Sequence, residues 1–340
     1  MTQVLLKEET KPVKQAFGSP AGKYRLAPKI TSMIPLHETY IEPFAGGAAV
    51  YFKKPPSEKE VLNDKDKEIA FAFRFLRDMT PEQFERLKRY NWIRSRELFE
   101  RMRAFHPRDD VEHFRRFYYI KKASYGSKGE QSGMSTLHLG EPIGVDHLWK
   151  VHERLKKTSI HGGDALHLIK KYNSPTTFAY LDPPYPGKGE GVLGKEYGAF
   201  DEDDLARLVR VLQDFKGWFA LSLGSEHAKL LPKSWHIKKV ATKYPWKMRA
   251  GEKLATVYEI IATNYNPDIV KIQPRIIKST IQEPLITKSS NSKNSNKMPK
   301  EVALAIGSYN AKVTPGGEVI VKAKRVYERI KEEEIYRCEC

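Results

Sequence analysis

Asp182-Pro183-Pro184-Tyr185 joins a carboxylate, two prolines that fix φ and an aromatic ring. Together they form a rigid slot for a flat ring carrying an exocyclic amine. The Asp182 carboxylate and the Pro183 carbonyl can each accept a hydrogen from an NH2 group, while Tyr185 can stack on the ring face. The tetrad follows Thr177-Phe178-Ala179-Tyr180-Leu181, an apolar β-prone run that predicts a buried strand. It therefore falls at a strand's carboxyl end, where open α/β sheets bind their ligands. The plain alternative is a strand running into a proline turn with a solvated aspartate.

A second constellation lies upstream. Thr39 to Val50 reads as a short strand, a glycine turn (Phe44-Ala45-Gly46-Gly47) and small residues that let a helix start close to a sheet. The next strand, Lys59-Glu60-Val61-Leu62-Asn63-Asp64, ends in an acid 18 residues after Gly46. Glycines admit a ligand close to the backbone, and Asp64 can accept from ribose hydroxyls. Ala45-Gly46-Gly47-Ala48 does not have the Gly-x-Gly-x-x-Gly spacing of pyrophosphate binders, and no Walker lysine follows. A nucleoside cofactor without a diphosphate fits better, and S-adenosylmethionine is the expected one.

Elements of three textures must position these residues. To about Met79 the chain is α/β, with an amphipathic helix from Glu68 carrying Ile69, Phe73 and Leu76 on one face. From about Pro81 to His161 it reads as helical and basic: 17 Lys or Arg stand against 9 Asp or Glu between Arg86 and Lys157, with aromatics interleaved. Ala123 to Gly144, rich in Gly and Ser, reads as a loop. α/β texture returns with a glycine-rich loop from Pro186 to Gly198, a helix from Glu202 to Phe215, and strands over Gly217–Ser222 and Thr256–Asn264. A Ser/Asn/Lys run from Lys288 to Lys297 predicts a flexible linker. The segment from Pro299 to Cys340 reads as a small module or tail, with alternating stretches around Thr314-Pro315-Gly316-Gly317 and a charged helix-like end.

The net charge of +17 over 340 residues points to a polyanionic partner, most simply nucleic acid. Both cysteines, Cys338 and Cys340, lie at the extreme end, which excludes a disulfide framework or a cysteine zinc site. The histidines show no metal-ligand spacing, so no metal is expected, and His161 and His167 read as surface or packing residues. No signal peptide or membrane-spanning run is read from the sequence, and a cytoplasmic protein is expected.

Ser19-Pro20-Ala21-Gly22-Lys23, Glu42-Pro43-Phe44-Ala45-Gly46-Gly47, Asn63-Asp64 and Asp182-Pro183-Pro184-Tyr185, in this order, resemble the Dam-type (D12 class, alpha arrangement) DNA adenine-N6 methyltransferases. The likeness runs discontinuously from Phe17 to Tyr265. It implies a Rossmann-like methyltransferase sheet over residues 15–80 and 160–266, a helical target-recognition insertion over 81–159, a linker over 267–298 and a module over 299–340. It also implies a prokaryotic setting, with a phage or mobile element and a cognate restriction endonuclease among the associations, and a monomer acting on double-stranded DNA. The catalytic residues would be Asp182, Pro183, Pro184 and Tyr185. The cofactor would meet Ala21, Gly22, Lys23, Glu42, Phe44, Ala45, Gly46, Asp64, Asp182 and Asp164, the last resembling the family's further acid beside the cofactor's adenine.

Within the insertion, Arg115, Arg116, Lys121 and Lys122 are the expected phosphate contacts, and Ser127, Lys128, Gln131 and Ser132 lie in the loop expected to reach base edges. Solvated helix faces are the alternative for the basic pairs. The insertion lacks the Asn-x-x-Gly-x-Phe-Asn-Val-Pro pattern associated with GATC readers, so the chemistry carries over better than the recognition sequence. An adenine inside a duplex cannot reach the slot, so the reading requires base flipping. Asp182 rather than Ser at the head of the tetrad favours adenine over cytosine. An RNA-base amino methyltransferase and a non-catalytic DNA-binding relic are the competing readings.

Overall fold

The computed structural model describes residues 12–19, 22–186, 200–243 and 256–268, together with three short strands near the C-terminus. Seven strands form one sheet: β1 Thr39–Glu42, β2 Lys59–Asp64, β3 Thr158–Gly162, β4 Thr177–Leu181, β5 Trp218–Gly224, β6 His236–Lys243 and β7 Thr256–Thr263. Their order is β3-β2-β1-β4-β5-β7-β6. β1 to β5 pair in parallel, whereas β7 runs antiparallel to both β5 and β6. The order reverses between β1 and β4, which places the switch point at the two strands that carry the glycine turn and the tetrad.

Side-chain alternation sends the apolar residues of the central strands to both faces of the sheet. Tyr40, Leu62, Phe178 and Tyr180 enter one buried cluster, while their neighbours Ile41, Val61, Ala179 and Leu181 enter another. Each central strand thus serves two cores, one per face. Beyond the second face, α8 Ala165–Lys171 and α9 Glu202–Gln213 supply Leu168, Ile169, Leu205, Leu208 and Leu212. α9 starts at a capping box between Asp201 and Asp204. The first core takes α1 Ala27–Thr31, α2 Ala49–Lys53 and α3 Lys67–Asp78. Ile69, Phe73 and Leu76 of α3 are buried as the periodicity requires.

α4 Pro81–Arg89, α5 Arg96–Ala104, α6 Asp110–Ala123 and α7 Leu148–Leu155 make up the insertion. Leu87, Phe99, Phe114, Tyr118 and Val151 join the same buried cluster as Phe73 and Leu76, so these helices share a core with the sheet. Residues 9–273 form one compact unit. A second unit contains β8 Asn310–Val313, β9 Val319–Lys322 and β10 Tyr336–Cys338, antiparallel in the order β10-β9-β8. The expected linker over 288–297 and the glycine-rich loop after Pro186 lie outside the described residues.

Two strands escape the sequence pattern. β3 begins at Thr158, inside the stretch that reads as helical, and β6 has no counterpart among the expected elements. Both are edge strands; β3 has one large apolar residue, Ile160, and β6 carries Lys238, Lys239 and Lys243. Edge strands bearing lysine avoid pairing with other chains, at the cost of a readable hydrophobic signature.

Candidate active site

At the carboxyl end of β1 the backbone turns through Gly46 at φ 48° and Ala48 at φ 51°, both left-handed. Gly46 takes that conformation without cost. Asp64, ending β2, locks the turn: its Oδ2 accepts from Gly46 N at 2.8 Å and its Oδ1 from Asp66 N at 2.9 Å. Asn63 ties three strand ends together, donating from Nδ2 to Pro43 O at 2.9 Å and to Gly163 O at 3.1 Å. Burial pushes the Asp64 carboxyl up to about 6, against the pull of the Asp66 and Gly46 amides.

Glu42 faces inward. It is 2% exposed, and its Oε1 accepts from Tyr40 OH at 2.5 Å and from Tyr51 N at 2.8 Å. Burial raises its pKa to about 8. These bonds tie β1 to the first turn of α2, whereas the family likeness assigns Glu42 to the cofactor. Ala45 is buried and donates from its N–H to Asn63 O at 2.9 Å. Phe44 is half-buried beside Phe200, edge to face at 6.4 Å. A side chain on Gly47 would meet Phe17 O at 2.8 Å, so the segment leading to Lys23 lies directly across the turn. Asp164 is exposed at the start of α8, where it accepts from His167 N at 2.8 Å. Gly22 N bonds Ser19 O at 3.0 Å; Ala21 lies outside the described residues.

The tetrad closes the other side. Asp182 follows β4, and Lys23, in a 3-10 turn over Lys23–Arg25, puts its Nζ 2.8 Å from Asp182 Oδ1. The same Nζ lies 3.6 Å from Oε2 of Glu259, in the middle of β7. Tyr185 OH donates to that Oε2 at 3.2 Å, and the Lys23 ammonium stands 5.1 Å from the Tyr185 ring centre. Pro183 is buried and Pro184 half-buried. The Asp182 side chain keeps 22% of its surface accessible, against 3% for Lys23 and for Glu259. Burial pushes the Asp182 carboxyl up to about 6, with Lys23 pulling it back. Burial would by itself lower the Lys23 pKa, but Asp182, then Tyr185 and Glu259, hold it well above the ordinary lysine value.

The structure therefore brings Gly46, Asp64, Lys23, Asp182 and Tyr185 to one end of the sheet, and adds Asn63 and Glu259, to which the sequence alone assigns no role in the site. An acid set inside the apolar run of β7 is the available signal for Glu259, because a buried carboxylate needs a partner.

In the insertion the expected residues divide. Lys121 is 3% exposed, with its charge helping to hold the Asp64 pKa down, so it is not a phosphate contact. The reason is helical spacing: Phe114, Phe117, Tyr118 and Lys121 share the inward stripe of α6. Arg115 is half-buried with its guanidinium 4.1 Å from the Tyr90 ring centre. Arg116 pairs with Glu130 and donates to Arg103 O at 3.2 Å. Lys122 is half-buried, and burial together with the Lys14 and Arg94 charges lowers its pKa to about 8. That adds Lys14 and Arg94 to a positive cluster. Ser127, at φ 55°, and Lys128 are half-buried in the turns after α6. Gln131 closes the 3-10 turn Gly129–Gln131, its side chain outside the described residues; Ser132 follows.

A profile of the family described as D12 class N6 adenine-specific DNA methyltransferase matches residues 20–246. The Type II methyltransferase M1.LlaDCHI of Lactococcus lactis subsp. cremoris is 26% identical over 266 residues, covering 72% of this chain and 93% of that protein. The Type II methyltransferase M.CviBI of Paramecium bursaria Chlorella virus NC1A is 24% identical over 243 residues, covering 66% and 88% respectively. The Type II methyltransferase M.MjaIII of Methanocaldococcus jannaschii is 23% identical over 292 residues, covering 76% of this chain and the whole of that protein.

Proposed function

Because the chain belongs to the D12 class of N6 adenine-specific DNA methyltransferases, we propose that it methylates adenine in duplex DNA from S-adenosylmethionine, with the target base turned out of the helix into the slot at Asp182–Tyr185. The observation that carries this reading is the half-open Asp182 carboxylate held on Lys23 at 2.8 Å beside the Tyr185 ring.

The donor set fits a cationic nucleoside. Carboxylates end β2 and stand just beyond β3 and β4, and the half-buried Gly46 of the left-handed turn is bonded to the first of them. Asp64, Asp164, Phe44 and the Gly22 segment would hold the cofactor. When bound, S-adenosylmethionine supplies an electrophilic methyl group on a sulfonium centre.

The chain's own residues do the rest. Adenine N6 is a poor nucleophile because its lone pair is delocalised into the ring. Asp182 and the Pro183 carbonyl, each accepting one N6 hydrogen, draw the nitrogen toward tetrahedral geometry and stabilise the positive charge that grows on it. Tyr185 offers a stacking face that offsets the stacking lost on flipping. Lys14, Arg94 and Lys122 form the cluster assigned to DNA phosphates. A monomer with a cognate restriction endonuclease belongs to the same proposal.

The test is transfer of tritiated methyl groups to duplex DNA, single-stranded DNA and RNA, with the product base identified by mass spectrometry. N6-methyladenine in duplex DNA is expected. Label in an RNA base would reassign the substrate, and DNA binding with no transfer would make the protein a binding module.

A further inference from the structure

Glu259 is not among the groups that would hold the methyl donor or the target base, yet it touches two residues that are. It lies on β7, opposite Gly224 in the antiparallel pair with β5, and is 3% exposed. Its Oε2 accepts from Tyr185 OH at 3.2 Å and stands 3.6 Å from Lys23 Nζ. Lys23 in turn touches Asp182 Oδ1 at 2.8 Å. One ammonium thus serves a buried carboxylate and a half-buried one, and the buried carboxylate serves both the ammonium and the stacking ring. Such an arrangement is expensive to bury unless each charge is partnered, and here each is.

We propose that Glu259 is a positioning residue for methyl transfer: it shares the Lys23 ammonium so that Asp182 stays an open acceptor, and it holds the Tyr185 hydroxyl so that the ring keeps its stacking orientation. The proposal rests on the reading of Asp182–Tyr185 as the adenine slot. Two carboxylates and one ammonium leave this corner with a net negative charge. That sign favours the positive charge growing on the target amine. Without Glu259, Asp182 would be the one carboxylate against the ammonium among the described residues, and the acceptor would be neutralised where it is needed.

Among the described residues, the groups facing Asp182 are Lys23, Glu259, Tyr180, Tyr185 and Glu42. Of these, Lys23 lowers its pKa and Glu259 raises it, after the dominant effect of burial. Removing the Glu259 charge therefore moves the acid limb of the rate profile to lower pH, which a loss of packing alone would not do.

The experiment uses the full chain. Wild type is first assayed for N6-methyladenine formation on duplex DNA; failure at this stage overturns the proposed function and not the role of Glu259. With wild type active, Glu259→Gln is expected to lose about 10²-fold in kcat, the scale of a misplaced reacting group. Its acid limb should shift downward while the KM values for DNA and cofactor stay within a few-fold. Glu259→Asp keeps the charge but shortens the reach, so its acid limb should match wild type while kcat remains depressed by about tenfold or more. Glu259→Gln with wild-type kcat and pH profile overturns the proposal. If Glu259→Gln does not fold, wild-type kcat in Glu259→Asp together with wild-type kcat in Tyr185→Phe overturns it as well.

Discussion

Lys23 and Asp182, 159 residues apart in sequence (182 minus 23), meet as an ion pair at 2.8 Å in which the lysine is sealed from water and the aspartate is not. The lysine supplies the counter-charge from behind, and the accessible face of the carboxylate is left for a substrate. The two motifs that carry them are therefore one piece of machinery.

Replacing Lys23 with methionine should raise the Asp182 pKa above its value of about 6, because the group that opposes the burial effect is lost. The carboxylate form would then dominate only at higher pH. The acid limb of the rate profile should move upward and the rate near neutrality should fall by about tenfold or more, since below its pKa the ionised fraction of an acid drops about tenfold with each step of one in pH. A pH–rate series on both proteins checks this; an unmoved limb contradicts it.

Asp182→Ala should abolish transfer while leaving affinity for DNA and cofactor within a few-fold, since its decisive contacts form around the reacting amine. Single-turnover kinetics and filter binding separate the two effects. Turnover near wild type would reject the slot.

Asp64→Ala should damage the glycine turn before anything else. The half-buried Gly46 and Asp66 amides lose their acceptor, and because water can reach them in part the loss falls toward the low end of the about 1–3 kcal/mol set by a fully buried donor. A lower melting temperature should accompany weaker binding of S-adenosylmethionine by calorimetry. Lost affinity with an unchanged melting temperature would mean that Asp64 acts only on the ligand.

Glu42 predicts a pH dependence of stability. Its carboxyl titrates near 8 in the folded protein, against an ordinary value of 4.5. Between those limits the folded state holds a proton that the unfolded chain has released, so stability falls as pH rises through that window. Asp64 and Asp182, both raised to about 6, add a decline of the same sign at its acid end. Lys54, lowered to about 8 by burial, has the opposite effect only above that pH. Glu42→Gln cannot titrate, and its urea midpoint should fall less than that of wild type between about pH 6 and 8. Parallel slopes would show that Glu42 is already ionised when folded.

β4 is legible in the sequence because it is buried on both faces and carries an apolar run, whereas β1 and β2 show only the short apolar pairs Tyr40-Ile41 and Val61-Leu62, one residue of each pair entering each core. The turn at Gly46 and the acid at Asp64 are legible from spacing alone. β3 and β6 are not, since an edge strand has one partner and tolerates lysine. Lys121 misleads for a different reason. Charge composition assigns it to a surface, but its spacing from Phe114 and Tyr118 turns it inward, and only the helical period reveals that. Glu259 escapes notice because its strand reads as a plain structural closure; the lysine that neutralises it lies far away in sequence.

β7 is the last strand of the sheet to be synthesised, yet it sits between β5 and β6, and among the described residues β6 has no other strand partner. Tyr265, just beyond it, bonds Met33 O at 2.7 Å, closing the fold over nearly its whole length. Pairings of such long sequence separation form slowly, because loop-closure entropy is lost before contacts repay it. A chain still on the ribosome therefore cannot become a weak version of the enzyme and improve as it grows. Until β7 docks, Lys23 has one carboxylate instead of two and β5 presents an unpaired edge to any other chain nearby. Products cut short ahead of Glu259 should accumulate as aggregates, and a cell gains methylating activity only from molecules completed past that strand.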